Sequence, residues 1–318
     1  MLARCPCCNS SATLTRELAR ASIVQQLEAF VKDPGIQDCT IHDYRMFQCD
    51  DCRLEFSDPM REPDPGFYEW LTQSHRYYPE RRWEWEESIR DLESTNDGTG
   101  RKRVVLDVGC GGGQFLKLLE SSRKLEGIGV EVSLASASKC RAEGLTVIHG
   151  NLATAMTSLP QGVDVVTLWH VVEHVADPIG LLGQAKALLA KNGAIYFSVP
   201  LSPPSYEASW TDPLNQPPHH LTRWNVASLK RLSAKLDMSL ELLLPAADGY
   251  FIRLARALLL QCVSPFESLP RWKKALRLAG SLIAHPSRLF VNALRQHQHP
   301  RANGKVLPDL VLVRLQSR

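Results

Sequence analysis

Six of the nine cysteines fall within the first 52 residues, four of them in two C-x2-C pairs, Cys5-Pro-Cys-Cys8 and Cys49-Asp-Asp-Cys52. A short C-x2-C turn lets two sulfurs converge while nearby backbone N–H groups offset their charge, so two such turns can enclose one tetrahedral Zn²⁺. Cys5, Cys8, Cys49 and Cys52 are therefore expected to hold a structural zinc ion. Four thiolates leave no open position on the metal, so the expected role is to hold a small module together. Cys7 and Cys39 remain spare thiols, and Cys110, Cys140 and Cys262 lie far along the chain.

A second group of residues has the chemistry of ligand binding. Gly109, Gly111 and Gly113 form a G-x-G-x-G turn after the apolar run Val104-Val-Leu-Asp-Val108, and Gln114 occupies the place where a dinucleotide fingerprint has its third glycine. That departure argues against a dehydrogenase. Glu131 ends the next apolar run, 18 residues after Gly113. Glycines admit a ligand close to the backbone, and a carboxylate at a strand end can accept both hydroxyls of a ribose.

Histidines supply a third group. His170, Glu173 and His174 follow Val163–Trp169, and His219 and His220 sit in the Pro-rich stretch Pro217-Pro-His-His-Leu-Thr-Arg-Trp224. A rigid loop over a ligand mouth is a good place for a general base, which makes His219 or His220 the leading candidate. His174 has two readings, a hydrogen bond toward the substrate or a structural bond to a loop carbonyl. No third ligand is evident in sequence beside the pair His170 and His174, so a metal there is not expected.

These residues need elements to position them. From residue 101 onward strand and helix patterns alternate: Val104–Val108, Gly127–Glu131, Val147–His149, Val163–Trp169 and Ala194–Val199 read as strands. Between them lie amphipathic helices, one capped by Ser133 and another spanning Ile179–Ala190. Alternation of this kind predicts a doubly wound, mostly parallel sheet with its ligand at the carboxyl ends of the strands. Ahead of it, Ser22–Lys32 reads as a helix inserted between the two cysteine pairs, and Phe67–Trp85 is rich in aromatic side chains.

Composition sets the limits. The chain has 318 residues, 44% hydrophobic and 22% charged, which is ordinary for a folded protein and excludes wholesale disorder. The net charge of +3 conceals an asymmetry: residues 251–302 carry +8, and 303–318 a further +2, which leaves −7 on residues 1–250. An acidic body without a basic stripe beside the cysteines argues against a nucleic-acid partner. No run reaches the roughly 18 apolar residues of a membrane span, and the first residues lack a signal-peptide core, so a cytoplasmic location is expected. Within the basic segment, Arg271–Ile283 has an apolar helical stripe flanked by Arg271, Lys273, Lys274 and Arg277, and Ser287–Arg295 reads as a second helix. Residues 271–295 would suit the inner face of an anionic membrane, packing on the domain, or a homodimer face.

Taken together, Leu106-Asp-Val-Gly-Cys-Gly-Gly-Gly113, Leu168-Trp-His-Val-Val-Glu-His-Val-Ala-Asp-Pro178 and Lys191-Asn-Gly-Ala-Ile-Tyr-Phe-Ser-Val-Pro200 resemble the donor loop and the fourth and fifth strand regions of class I S-adenosylmethionine-dependent methyltransferases. The resemblance covers about residues 100–245 and a final strand. It implies a seven-stranded Rossmann-like sheet with Leu240–Leu244 as strand six and Asp309–Leu315 as an antiparallel strand seven. It also implies S-adenosylmethionine as cofactor, with Gly109, Cys110, Gly111 and Gly113 in the donor loop, Asp107 near the amino-acid portion and Glu131 on the ribose. Asn151, where the family commonly has Asp, falls near the adenine, with Leu152 beside it. Trp169 and His170 face the donor, and Tyr77 or Tyr78, in a lid-like N-terminal helix, contacts its carboxylate.

The expected organisation is a zinc-ribbon-like module (1–62), an aromatic linker or lid (63–100), the methyltransferase domain (101–249 and 306–318) and a basic helical insertion (250–305). The expected activity is methyl transfer to a small-molecule or glycan acceptor, with oxygen preferred to carbon. Two alternatives stand beside it: an RNA base methyltransferase with a zinc module, and a non-catalytic adaptor that keeps the fold.

Overall fold

The structure is a computed structural model that describes residues 3–72, 79–94, 100–204, 207, 211–245, 259, 262, 269–287, 291, 301–302, 305–306 and 308–317. Tyr77, Tyr78 and most of the 250–305 segment lie outside the described residues.

The N-terminal part begins with β1 (Ala3–Arg4), β2 (Ser11–Leu18) and α1 (Arg20–Val31), followed by β3 (Tyr44–Cys49) and β4 (Glu55–Asp58). The strands pair antiparallel in the order β1-β2-β3-β4. The helix α1 exists because Ile23, Val24, Leu27 and Phe30 recur at helical spacing and are buried together against Ile36, Ile41 and Tyr44. Two further helices, α2 (Pro65–Thr72) and α3 (Trp83–Ser94), lead into the main sheet. Phe67 and Trp70 of α2 join the α1 core, while Trp85 of α3 packs beside Phe115 and Trp169. The aromatic segment thus serves two cores.

The main sheet contains β5 (Arg103–Val108), α4 (Gln114–Glu120), β6 (Leu125–Glu131), α5 (Leu134–Ala142), β7 (Val147–His149), α6 (Leu152–Ser158), β8 (Val163–Trp169), α7 (Pro178–Leu188) and β9 (Leu189–Pro200). After these come β10 (Thr222–Arg223), α8 (Val226–Lys235), β11 (Met238–Leu243), α9 (Arg271–Ala284), the short pair β12 (Arg301–Ala302) and β13 (Lys305–Val306), and finally β14 (Leu310–Ser317). Seven strands run in the order β11-β14-β9-β8-β5-β6-β7. The pairs β9–β8, β8–β5, β5–β6 and β6–β7 are parallel, and β14 is antiparallel to both of its neighbours. This is the doubly wound architecture and the antiparallel last strand that the sequence predicts.

Helix α7 ends at Leu188, short of the expected Ala190, because Leu189 already pairs with Val163 in the sheet. Nor is the small N-terminal sheet a closed unit. Its fifth strand is β10, from beyond the main sheet, which pairs antiparallel with β4. Cys5, Cys49, Cys52, Leu54 and Phe56 share one buried cluster with Trp224 and Leu229. Arg223, almost fully buried, joins the two segments through ion pairs to Glu55 at 2.9 Å and to Glu207.

A donor loop and a buried histidine cluster form the candidate active site

The turn after β5 is built by its glycines. Gly109, Gly111 and Gly113 have φ of 72°, 53° and 75°, a left-handed region that costs L side chains about 1–2 kcal/mol. At Gly113 a Cβ would also collide with Leu145 Cδ1 and approach Cys140 Sγ to 3.1 Å. A Cβ on Gly109 would meet Val171 Cγ2 at 3.2 Å, so the turn lies against the segment that follows β8. The thiol of Cys110 is buried within this loop as a small filler, its Sγ against the position a Cβ on Gly129 would take.

Glu131 ends β6 with both carboxylate oxygens held. Oε2 accepts from the Gly111 amide at 2.9 Å and Oε1 from the Ser133 amide at 2.8 Å. Such charge-assisted bonds fix a carboxylate more firmly than neutral ones. One strand over, Asp107 is fully enclosed and accepts from the Thr167 hydroxyl at 2.8 Å. Burial pushes the Asp107 carboxyl up to about 7, against the Thr167 bond and with the charge of Glu131 adding to the rise. Asn151 caps α6: its Oδ1 accepts from the Thr154 amide at 3.1 Å and the Thr154 hydroxyl at 3.2 Å, and Leu152 is buried behind it. Its carbonyl oxygen therefore already serves the helix. Trp169, at the end of β8, is buried with its Nε1 unpartnered.

His170 follows with φ of 54°, a strained position for a residue with a side chain. Its Nδ1 and Nε2 each lie 3.2 Å from a carboxylate, of Glu173 and of Glu84 respectively. Burial opposes the imidazolium, but the bonds to Glu173 and Glu84 outweigh it and raise the His170 pKa. Glu84 comes from α3, so this network fastens the aromatic segment to the end of β8.

The next turn meets the Pro-rich loop. The carbonyl of Glu173 accepts from the amides of Leu221 at 2.8 Å and Thr222 at 3.2 Å. His174 Nδ1 donates to the His219 carbonyl at 2.6 Å, which is the loop-carbonyl alternative of its two sequence readings. His219 Nδ1 donates to Leu214 O at 2.9 Å, and His220 Nδ1 to Asn215 Oδ1 at 3.0 Å. The three imidazoles lie with centroids 4.3–4.7 Å apart, His219 stacked on His220 and His174 tilted to the first and edge-on to the second. Burial, with the neighbouring histidines, pushes His219 and His220 well below the usual histidine pKa and also lowers His174, so all three are neutral at pH 7. The sequence paired His174 with His170, but the fold sets it with His219 and His220 instead.

The two cysteine turns face each other across the small sheet. Cys8 lies 3.4 Å from Cys49 and 3.7 Å from Cys52, and Cys5 is 3.6 Å from Cys52, sulfur to sulfur. The turns match: the residue after each pair, Asn9 or Arg53, is left-handed, with φ of 63° and 61°. The Cys52 amide points at Cys49 Sγ over 3.4 Å. Cys7 is buried in the shared core, and Cys39 points at the Gly35 carbonyl.

Two site residues escape sequence reasoning. Thr167 carries a weak signal, as a lone hydroxyl in an apolar strand in register with Asp107. Glu84 carries none, since it stands in a stretch of alternating acids and aromatics.

The fold and the donor turn define a class I methyltransferase. The methyltransferase-domain family matches residues 77–241, just over half of the chain, and the chain belongs to that family. Among relatives, the ubiquinone biosynthesis O-methyltransferase of Methylococcus capsulatus is 37% identical over 105 residues, which are 31% of this chain and 43% of that one. The Histophilus somni protein of the same name is 30% identical over 119 residues, covering 35% and 50%. The chain thus spans about half the length of these relatives. A solved methyltransferase from Archaeoglobus fulgidus superimposes with a TM-score of 0.49 at 18% identity, covering 79% of this chain and all of that one. The plantazolicin methyltransferase BamL also gives 0.49, at 14% identity, covering 80% and 91%.

Proposed function

We propose that this chain transfers the methyl group of S-adenosylmethionine to a hydroxyl oxygen of a small-molecule or glycan acceptor. The observation that carries the reading is Glu131, pinned at the end of β6 by the Gly111 and Ser133 amides beside a turn that only glycines fit. Those residues suit a nucleoside with a free ribose. When bound, the donor supplies an electrophilic sulfonium methyl. The protein's part is to align the acceptor and to take its proton. His219 or His220 can accept that proton at Nε2, which the Nδ1 bonds leave as the basic nitrogen. Oxygen is favoured as the nucleophile because the relatives are named O-methyltransferases.

The four converging sulfurs fit a structural Zn²⁺, which would lock the first strands to the sheet that receives β10. On α9, Trp272, Leu276 and Ile283 are exposed among basic residues, which supports peripheral contact of a cytoplasmic enzyme with an anionic membrane. A homodimer through the same face is the competing use. Among the described residues no helix is long and apolar enough to cross a membrane.

Incubation with methyl-labelled donor and panels of phenols, sugars and nucleotide sugars tests the reading. Label should appear on an acceptor oxygen, with S-adenosylhomocysteine formed in equal amount. Label on RNA bases, or no donor binding at all, would contradict it.

A further inference from the structure

We propose that His174, His219 and His220 form a second metal site, distinct from the four cysteines, which binds a divalent transition-metal ion through three imidazole nitrogens. Each ring can offer a nitrogen within 4.8 Å of the other two, although the residues come from two segments some 45 positions apart. That spread is close enough for small side-chain adjustments to bring all three onto one ion, whose Zn–N distances are about 2.0–2.1 Å.

The hydrogen bonds fix which nitrogens are available. Every Nδ1 faces a carbonyl oxygen: His219 O for His174, Leu214 O for His219 and Asn215 Oδ1 for His220. A carbonyl can only accept, so each Nδ1 carries the proton and each Nε2 carries the lone pair. Metal-binding histidines almost always show this pattern, one nitrogen on the metal and the other donating to a carbonyl or carboxylate. Three histidines from two segments share this pattern within one cluster.

Charge balance points the same way. Glu173, next to His174, is 1% exposed and has one carboxylate oxygen, Oε2, with no hydrogen-bond partner. Its other oxygen, Oε1, lies 3.2 Å from His170 Nδ1. A dication beside neutral histidines would find a buried counter-charge in place. Imidazole donors suit zinc, iron, nickel or copper in preference to magnesium or calcium. Three protein ligands leave at least one position for water or an acceptor oxygen. An ion would occupy the same Nε2 lone pairs that otherwise serve as base, so with metal bound the acceptor hydroxyl would be activated by the ion in place of an imidazole; this added role rests on the methyl-transfer reading, and the metal site does not.

Metal content tests the site independently of activity. The full chain is stripped with chelator, reloaded with excess Zn²⁺ or Co²⁺, desalted and assayed for metal, and its first shell is read by X-ray absorption. Two ions per chain are expected, one in a sulfur shell and one in a nitrogen and oxygen shell. The variants His174→Ala and His220→Ala should each drop to one ion while keeping the thiolate-to-cobalt charge-transfer band of the cysteine site. One ion per chain with a sulfur-only shell would overturn the proposal and leave the trio a base cluster. So would two ions retained by both variants. Should a variant fail to fold, the wild-type count and shell decide alone. Donor binding measured on the same preparations separates failure of this site from failure of the methyltransferase reading.

Discussion

The Gly111 amide donates to Glu131 Oε2 over 2.9 Å, which makes the donor turn and the end of the neighbouring strand a single unit. Removing the carboxylate unties the turn and, in the donor-binding mode proposed above, also deletes the ribose acceptor. Glu131→Ala should weaken donor binding by about 10- to 100-fold, the equivalent of one or two charge-assisted hydrogen bonds. Glu131→Gln, which keeps one acceptor, should fall between the two in the same calorimetric titration.

Gly113 and Gly144 separate conformation from space. Both have positive φ, 75° and 89°, but a Cβ on Gly144 meets nothing within 4 Å while one on Gly113 runs into Leu145. Gly144→Ala should cost about 1 kcal/mol and leave donor affinity unchanged. Gly113→Ala should cost about 1–3 kcal/mol more, from displaced packing, and weaken the donor as well. Urea unfolding and donor titration on the two variants check both statements.

Asp107 gives the donor site a pH dependence. Its carboxyl titrates at about 7 in the free protein because it is buried. In the proposed binding mode the donor's cationic amino group lies beside it and favours the carboxylate, so donor binding would release a proton at acidic pH. Affinity should then rise with pH between about 5.5 and 7, by at most about tenfold per unit, and level off above. Asp107→Asn should abolish the slope; calorimetry in buffers of different ionisation enthalpy would show the proton directly.

The neutral histidines predict acid sensitivity of the fold. A histidine whose folded pKa lies below its unfolded value of about 6.5 takes up its proton only on unfolding, so stability falls as pH drops below about 6.5. Each such histidine contributes at most about 1.4 kcal/mol per pH unit. His170, whose folded pKa is raised, acts in the opposite sense: its contribution is full below about 6.5 and lost as pH rises through the folded value. Asp107, also raised, likewise loses stability as pH rises from about 4 to 7. The observable is thus the difference from wild type. His220→Gln should flatten the loss of stability between pH 7 and 5.5, measured by denaturant unfolding, by up to one proton's slope.

Much of this was legible in sequence, and the exceptions have physical causes. The glycine turn, Glu131 and the strand–helix alternation are local features, encoded in spacings of a few residues, and they fall where the spacing puts them. The cysteine pairs are equally local, and their four sulfurs meet as expected. What the chain does not announce is tertiary pairing. Nothing around residue 84 signals that its carboxylate will be buried against His170. The partners of His174 lie 45 and 46 positions away and meet it only because the amides of Leu221 and Thr222 reach the Glu173 carbonyl. Similarly, β10 is two residues long and has no period to read, yet it ties the cysteine sheet to the histidine loop.

That tie yields a prediction about the cysteines. With Zn²⁺ held by the four cysteines as proposed, Cys49→Ser should lose it and lower the unfolding midpoint by several degrees. Because β4 pairs with β10, at the end of the histidine loop, it should also reduce turnover.

Residues 101–245 carry the proposed site for an adenosyl sulfonium donor. Calorimetric titration of the full chain with S-adenosylhomocysteine tests it most directly. One equivalent should bind at micromolar concentration or tighter to wild type and at least tenfold more weakly to Glu131→Ala. An absence of binding to wild type, or equal binding to both proteins, would contradict the account.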